Sequence, residues 1–332
     1  MMFHKSPALV AFVAAFLLAA IIGCSSDGPD ILTEPTSLVT PTSEDAGSTF
    51  ESIQLAVDGL TIDAVAAGPE DGELVLMLHG FPQTSFEWRH QMAPLAEAGY
   101  RVVAPDQRGY SPGARPAGVE AYAIISLAGD AIGMADELGY DTFHVVGHDW
   151  GAAVAWVLAM LEPDRVSSVT GVSVPHPAAF AQALANPDGE QASMSSYVAF
   201  FQTAEATTQL VANDAAFLRA IYADAGLTPD EEQVYIDALG TEPAIDAALN
   251  WYRATDFGVG TIAPAVAVPA LFVWGVDDVA IGREAAELGA AYVTGPYRFV
   301  ELEGVGHWVP EEAPDQLTAL LLEHLEGLDD DS

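Results

Sequence analysis

Residues 147–151, Gly-His-Asp-Trp-Gly, constrain the fold of this chain more than any other segment, because they join two stretches of different character. Residues 142–146 are rich in β-branched and aromatic side chains and predict a short buried strand, whereas residues 151–160 are small and apolar and suit a packed helix. A strand that turns directly into a helix between two glycines holds its central residue on a strained corner at the carboxyl edge of a parallel sheet. The sequence therefore predicts that Asp149 is presented at such an edge.

An aspartate on this corner indicates a particular kind of chemistry. A carboxylate can attack a saturated carbon and form an alkyl ester, whereas a serine in the same place would attack an acyl carbon. The structural alternative is that Asp149 only caps the helix predicted to begin at Gly151. A nucleophile needs catalytic partners elsewhere in the chain, and their presence distinguishes the two interpretations of Asp149.

The pattern of the chain from Phe50 onward predicts an α/β fold. Apolar runs alternate with helical segments, which is typical of a mostly parallel sheet flanked by helices. The first two runs are joined by Asp58-Gly59 and predict a hairpin. The predicted strands are 53–57, 60–66, 74–78, 101–104, 142–146, 166–174, 270–274 and 297–301, and the predicted helices outside the insertion are 88–98, 122–138, 151–160 and 283–292.

An insertion interrupts this alternation. Between about residues 175 and 257 the strand rhythm stops, and helical segments are separated by turn signals such as Asn186-Pro187-Asp188-Gly189. We therefore predict a core formed by residues 50–175 and 258–328, and a helical cap of residues 176–257 over the carboxyl edge of the sheet.

The first 49 residues predict export rather than part of the fold. Residues 1–23 combine a short polar start with an apolar stretch that is too short for a comfortable membrane span, which is typical of a signal peptide. Cys24 is the only cysteine, and the tetrapeptide that it ends resembles a bacterial lipobox. We expect lipidation of Cys24, a disordered acidic Ser/Thr/Pro tether over residues 24–49, and anchoring in the bacterial cell envelope. Ser25 after the cysteine favours the outer membrane.

Charge limits the partners of the mature protein. The chain carries 48 acidic and 10 basic residues, a formal charge of −38, and its one lysine is Lys5 in the predicted signal. Such a surface repels nucleic acid and anionic lipid, so neither is expected as a partner of the globular part.

Two later loops offer partners for the aspartate. His307 lies in Gly-Val-Gly-His-Trp after the last predicted strand, and Asp277 and Asp278 follow the strand before it. A histidine oriented by a carboxylate can serve as a general base. A third segment, His-Gly-Phe-Pro at 79–82, follows an earlier strand, and the backbone N–H groups of Phe81 and Trp150 are candidates for an oxyanion hole.

Taken in order, these blocks resemble the α/β-hydrolase fold, in the branch of epoxide hydrolases and haloalkane dehalogenases that use an aspartate nucleophile. The blocks H-G-F-P, D-x-R-G-Y at 106–110, G-H-D-W-G, W-G-x-x-D and G-x-G-H-W all occur, and the resemblance covers Phe50 to about Leu328. It implies Asp149 as nucleophile, His307 as base and, from W-G-x-x-D, Asp278 as the orienting acid, with Asp277 as the second choice. No metal or organic cofactor is implied.

The resemblance also implies two cap tyrosines that bind the epoxide oxygen in epoxide hydrolases. Tyr252 lies in Asn-Trp-Tyr-Arg and Tyr197 in Tyr-Val-Ala-Phe-Phe-Gln, both similar to the segments that carry them. Tyr222 and Tyr235 are the other candidates, and the structural alternative for any of them is packing within the cap.

The function that the resemblance implies is hydrolysis of a small hydrophobic epoxide to a vicinal diol through an alkyl ester on Asp149, with water as co-substrate. A haloalkane dehalogenase is the first alternative, although Phe81 stands where those enzymes usually have asparagine. A lipoprotein that binds a ligand without turnover is the second. The sequence leaves the natural substrate and the oligomeric state open.

Overall fold

The computed structural model describes residues 50–257 and 264–329, all within a compact unit that spans Ser48–Ser332. The predicted signal, Cys24 and the tether lie outside the described residues, and residues 258–263, at the predicted return from cap to core, do as well. No helix in the described ranges is long and apolar enough to cross a membrane.

The centre of the fold is an eight-stranded sheet in the order β1-β2-β4-β3-β5-β6-β7-β8. The first two strands are antiparallel to their neighbours, and all pairs from β4 to β8 are parallel. This arrangement puts β5, which leads into Asp149, in the interior of the sheet, and it confirms the predicted α/β class. The strands are β1 Glu51–Val57, β2 Leu60–Ala67, β3 Leu74–Leu78, β4 Arg101–Pro105, β5 Phe143–His148, β6 Val166–Val172, β7 Ala270–Gly275 and β8 Tyr297–Leu302.

Local backbone preferences explain where the strands end. Asp58 and Gly59 both have positive φ, 48° and 79°, which is the geometry of the tight hairpin turn between β1 and β2. The sixth strand stops two residues earlier than the sequence indicates, because Ser173 adopts a φ of 66° and leaves the extended conformation.

Helices cover the sheet on both faces. One face carries α1 and α12, whose leucines form a buried cluster with Val75 and Met77 of β3, while α2 and α3 pack together on the other side. The predicted helix at 283–292 is α10 followed by a 3₁₀ turn at Gly289–Tyr292. The helices of the core are α1 Arg89–Glu97, α2 Ile124–Glu137, α3 Trp150–Leu161, α10 Arg283–Leu288, α11 Val309–Glu312 and α12 Pro314–Asp329.

The described part of the segment between β6 and β7 consists of helices joined by loops. Its long helix α7 is bent at Ala212–Ala215, where four residues leave helical geometry. A 3₁₀ turn at Ser195–Tyr197 precedes α6 and carries one of the candidate tyrosines. The helices of this segment are α4 Pro177–Leu184, α5 Glu190–Met194, α6 Val198–Phe201, α7 Ala204–Asp224, α8 Pro229–Leu239 and α9 Glu242–Arg253.

Candidate active site

Asp149 lies on the turn between β5 and α3 in a strained conformation. Its φ is 50° and its ψ is −117°, which a non-glycine residue adopts only where the surroundings impose it. The flanking glycines are required by space, since a Cβ on Gly147 would collide with the carbonyl of Gly151, and one on Gly151 with the carbonyl of Leu78. Asp149 occupies the N-cap position of α3, yet its side chain makes no capping hydrogen bond, so the structural alternative is wrong.

The two carboxylate oxygens of Asp149 face different partners. Oδ1 accepts a hydrogen bond of 2.9 Å from the backbone N–H of Phe81, and Oδ2 lies 3.5 Å from Nε2 of His307. The residue is 7% exposed. One oxygen is therefore held by the turn predicted to form the oxyanion hole, and the other lies beside the imidazole.

His307 is held on its other side by Asp278. Nδ1 of His307 lies 2.9 Å from Oδ2 of Asp278, whose Oδ1 accepts the backbone N–H groups of Ala280 and Ile281 at 2.7 and 2.9 Å. Asp278 is buried, whereas its neighbour Asp277 is exposed. The structure thus pairs the histidine with the aspartate that the W-G-x-x-D pattern indicates, and not with the second choice.

Charges in this group shift both central pKa values. Burial alone would lower the pKa of His307, but the charge of Asp278 and the hydrogen bonds to Asp149 and Asp278 outweigh it and raise the pKa well above its usual value. Burial alone would raise the pKa of Asp149, but the adjacent His307 reverses this and holds the pKa below its usual value. Both shifts favour the charged forms, an imidazolium on His307 beside the carboxylate of Asp149.

The predicted oxyanion donors lie on both sides of Asp149. The N–H of Phe81 already points at Oδ1, and Trp150 follows Asp149 directly as the first residue of α3. The Trp150 ring packs edge-on to Tyr252 with ring centres 5.0 Å apart. The bond from Phe81 is formed in the structure, and the use of the Trp150 N–H stays a prediction.

Both predicted cap tyrosines contact the site through a layer of rings. Tyr252 packs edge-on to Phe81 at 5.2 Å between ring centres, and Tyr197 lies 6.5 Å from Tyr252. Phe201 fills the space between them. Burial, followed by the charges of Asp149 and Asp278, raises the pKa of Tyr197 above its usual range, and burial raises that of Tyr252. Both are therefore neutral O–H donors at any working pH.

The two alternative tyrosines have other partners. The hydroxyl of Tyr222 donates to the carbonyl of Pro82 at 2.6 Å, and that of Tyr235 donates to Glu311 at 3.0 Å. Their rings stack on each other, 5.0 Å between centres. These bonds favour Tyr197 and Tyr252 as the hydroxyls open to a substrate.

An apolar hollow lies in the cap beside these rings. Its volume is about 480 Å³, and the ring of Phe257 on its border packs against Trp150 at 5.9 Å between ring centres. Serine, glutamine and aspartate side chains at Ser195, Gln202 and Asp256 contribute polar groups to its lining. The aliphatic residues of the lining come from α4, α5 and α6: Ala181, Leu184, Ala185, Ala192, Val198 and Ala199.

Sequence reasoning missed two buried polar groups next to the site. Glu87 lies in the 3₁₀ turn Ser85–Trp88 and pairs with His148, and Gln191 of α5 bonds to the loop after Asp278. No partner for His148 is predicted from the sequence. The one sequence signal for a buried Glu87 was its position next to Trp88. Nothing in the local sequence distinguishes Gln191.

Comparison with known proteins agrees with this geometry. The sequence profile of the α/β hydrolase fold family matches residues 73–314. Epoxide hydrolase A of Mycobacterium tuberculosis is 35% identical over 315 residues, which covers 82% of this chain and 96% of that protein. The class of protein that fold and site define is thus an α/β-hydrolase.

Solved structures narrow the class. Epoxide hydrolase A from Mycobacterium thermoresistibile has a TM-score of 0.74 at 32% identity, over 84% of this chain and 99% of that one. A point mutant of an epoxide hydrolase from Bacillus megaterium, solved with its product (R)-3-[1]naphthyloxy-propane-1,2-diol, has a TM-score of 0.77 at 27% identity, over 82% of this chain and 100% of that one. The chain belongs to the α/β-hydrolase fold family and, within it, to the epoxide hydrolase-like enzymes, as the sequence predicts.

Proposed function

We propose that this enzyme hydrolyses epoxides to vicinal diols through an alkyl ester on Asp149. The observation that carries the proposal is that the two carboxylate oxygens of Asp149 have different partners. One oxygen accepts the N–H of Phe81, and the other lies 3.5 Å from Nε2 of His307. The relatives named above support epoxide hydrolysis as the overall reaction.

In the first half-reaction, Oδ2 of Asp149 attacks one carbon of the epoxide ring. The new bond joins that carbon to Oδ2, and the bond from the same carbon to the ring oxygen breaks. Tyr197 and Tyr252 donate hydrogen bonds to the departing oxygen. Proton balance requires that the alkoxide end with the proton that His307 held, which leaves a hydroxyalkyl ester and a neutral imidazole.

In the second half-reaction, neutral His307 acts as a base. It takes a proton from water as the water oxygen attacks the carboxyl carbon of Asp149, and the negative charge forms on Oδ1 against the N–H groups of Phe81 and Trp150. When the intermediate collapses, the bond from Oδ2 to the carboxyl carbon breaks, and the proton of the new carboxylic acid passes to the diol. Asp149 and protonated His307 are restored.

The lining of the cap favours an apolar substituent on the substrate. The rings of Phe81, Phe201 and Phe257 provide apolar surface around Tyr252. The hollow next to Phe257 adds alanine, leucine and valine side chains. The diol bound to the Bacillus megaterium mutant carries a naphthyloxy group, and we propose that the present enzyme likewise accepts epoxides with an apolar substituent.

Diol formation from styrene oxide tests the proposal. We expect turnover by the native enzyme and none above background for Asp149→Asn, which keeps the shape but removes the nucleophile. Asp277→Asn, the same change at an exposed neighbour of the site, is the matched control and keeps activity. In a single turnover in ¹⁸O-water, the label enters Asp149 and not the diol.

Three outcomes would contradict the proposal. If the diol made by the native enzyme carried ¹⁸O after a single turnover, water would attack the epoxide directly and no ester would form. Release of halide from chloroalkanes without diol formation would support a haloalkane dehalogenase. No reaction with either substrate class would support a protein that binds without turnover.

We also propose that the chain is exported and anchored through a lipid on Cys24, in the outer membrane of the bacterial envelope. The support is the sequence pattern of residues 1–24 alone. The native chain is expected to incorporate labelled palmitate and to fractionate with membranes, whereas Cys24→Ala does neither. Equal membrane association of both forms would contradict the anchor.

A further inference from the structure

Beneath the site lies a pair of side chains that the mechanism does not use. Glu87 and His148 are both fully buried, and Oε1 of Glu87 lies 2.7 Å from Nδ1 of His148. A charged or polar pair in a dry interior costs free energy unless all its groups are bonded, so its presence calls for an explanation.

The bonds of the pair define its proton content. Nε2 of His148 lies 2.9 Å from the carbonyl oxygen of His307, and since a carbonyl only accepts, Nε2 must carry a hydrogen. The short contact between Nδ1 and Oε1 needs one more proton, held by either partner. In both cases the pair has no net charge, so its role is geometric rather than electrostatic.

The pair contacts each of the three loops that present reacting groups. Oε2 of Glu87 accepts the backbone N–H of Gly80 at 3.1 Å, immediately before Phe81. His148 precedes Asp149 in the chain and holds the backbone of His307. Glu87 and His148 thus connect the oxyanion turn, the nucleophile turn and the histidine loop through two hydrogen bonds and the 2.7 Å contact between their side chains.

The carbonyl of His307 has a second donor. The hydroxyl of Ser173, the residue that ends β6 in a left-handed conformation, donates to it at 2.6 Å. Two buried donors on one carbonyl fix the loop that carries the imidazole, whereas the imidazole itself pairs with the two aspartates.

We propose that Glu87 and His148 are positioning residues, which align the N–H of Phe81 and the imidazole of His307 on the two oxygens of Asp149. The proposal rests on the proposed function. The oxyanion hole and the base both act directly in the hydrolysis of the ester. In ring opening the attack depends on Asp149 and the tyrosines, and His307 only supplies the proton that the alkoxide finally carries. Loss of the pair therefore slows the second half-reaction more than the first.

The experiment measures the formation and decay of the ester with styrene oxide in Glu87→Leu, Glu87→Gln and the native enzyme. Glu87→Leu breaks the contacts to Gly80 and His148, and a displacement of the order of 1 Å costs about 100-fold in rate, so we expect the decay to slow by about 10- to 100-fold and the formation by less. Glu87→Gln can accept from Gly80 and donate to Nδ1 of His148, and it recovers most of the decay rate. Glu97→Leu, the same change at an exposed position of α1, is the control.

The outcomes distinguish the proposed ester mechanism from the positioning role of Glu87 and His148. If the native enzyme forms no ester, the proposed function fails. If the native enzyme forms the ester, and the ester on folded Glu87→Leu decays at the native rate, the positioning role fails. Recovery absent in Glu87→Gln would also overturn the proposal, because a geometric role predicts rescue by an isosteric amide.

Ser173→Ala covers the case in which Glu87→Leu does not fold. It removes the other donor to the His307 carbonyl and leaves the buried pair in place. We expect decay to slow by about fivefold with unchanged formation, which corresponds to the about 1 kcal/mol that one hydrogen bond is worth. Native decay in this variant would show that fixing this carbonyl does not matter and would overturn the proposal.

Discussion

The site joins two regions that are held by different interactions. On the core side, Asp149, His307 and Asp278 are fixed by short directed hydrogen bonds, several of them to backbone groups. On the cap side, Tyr197 and Tyr252 are fixed mainly by ring contacts, with centres 5.0 to 6.5 Å apart. Directed bonds hold the groups that carry charge, and apolar packing holds the neutral donors.

This difference follows from the tasks proposed for each side. A covalent step and a proton transfer need alignment within a fraction of an ångström, which polar bonds to the sheet loops supply. A neutral hydroxyl that stabilises a departing oxygen needs a dry environment, which aromatic packing supplies. The comparison predicts that core substitutions interrupt the ester cycle, while cap substitutions slow its first step.

The strongest expected effect is at His307. In His307→Gln the base is gone, so the ester on Asp149 forms but its hydrolysis slows by about 10³-fold or more. Intact mass spectrometry after mixing with styrene oxide measures the adduct. The matched change His90→Gln, at an exposed histidine, leaves no adduct behind. Rapid ester decay in His307→Gln would remove the histidine from the mechanism.

Asp278 offers a graded version of the same test. Asp278→Asn keeps the backbone bonds to one oxygen but removes the charge that raises the pKa of His307. We expect ester decay to slow by about 10²- to 10⁴-fold and ester formation by less. Equal slowing of both steps would contradict a role confined to the histidine.

The tyrosines test the cap side. Removing one donor to a developing oxyanion costs about 10²- to 10³-fold, so Tyr252→Phe should slow ester formation by this factor and leave its decay nearly unchanged. Tyr197→Phe should act on the same step. Tyr235→Phe is the control, because its hydroxyl bonds to Glu311 and not to the site.

An effect of the tyrosine substitutions on ester decay would contradict the proposed difference between cap and core. If Tyr252→Phe slowed the decay of the ester and not its formation, the cap would act on the water and not on the epoxide oxygen. An effect of Tyr235→Phe as large as that of Tyr252→Phe would indicate a general loosening of the cap.

Parts of the fold with a strong local pattern were predictable from the sequence. The strand β3 is a continuous apolar run and was predicted with its observed bounds, and the turn at Asp149 is flanked by glycines that sterics require. The end of β6 was not predictable, because the left-handed conformation of Ser173 serves a bond to His307 that is distant in sequence.

The same distinction applies to the site. Asp149, His307 and Asp278 each follow a strand, so the parallel topology brings them to one edge of the sheet. Glu87 and Gln191 have no such signal, since each is defined by partners far along the chain and lies in a short helical turn. Sequence patterns do not predict the long-range hydrogen bonds of such buried polar groups.

The pH dependence distinguishes the free enzyme from the ester. In the free enzyme the carboxylates of Asp149 and Asp278 raise the pKa of His307, and the ester removes the first of these charges. The pKa of His307 should therefore be lower in the ester than in the free enzyme, and hydrolysis, which needs neutral His307, should rise with pH through this lower value. NMR titration of the free enzyme and the pH profile of ester decay measure the two values. An ester value equal to or above that of the free enzyme would contradict the sign.

The smallest expected effect concerns the contact between the two regions. Gln191 is buried, and its amide donates to Ser195, at the start of the turn that carries Tyr197, and to the carbonyl of Ala280, while its oxygen accepts the N–H of Gly282. Gln191→Ala leaves buried groups without partners, which costs about 1–3 kcal/mol of unfolding free energy.

Gln191→Ala should lower the melting temperature and, because Tyr197 is then held less firmly, slow ester formation several-fold. Gln182→Ala is the matched control, since Gln182 also accepts a bond across this contact, from Tyr292, but at an exposed position away from Tyr197. If Gln191→Ala slowed ester decay as strongly as formation, the residue would act through the Asp278 loop, and the separation between cap and core would not hold there.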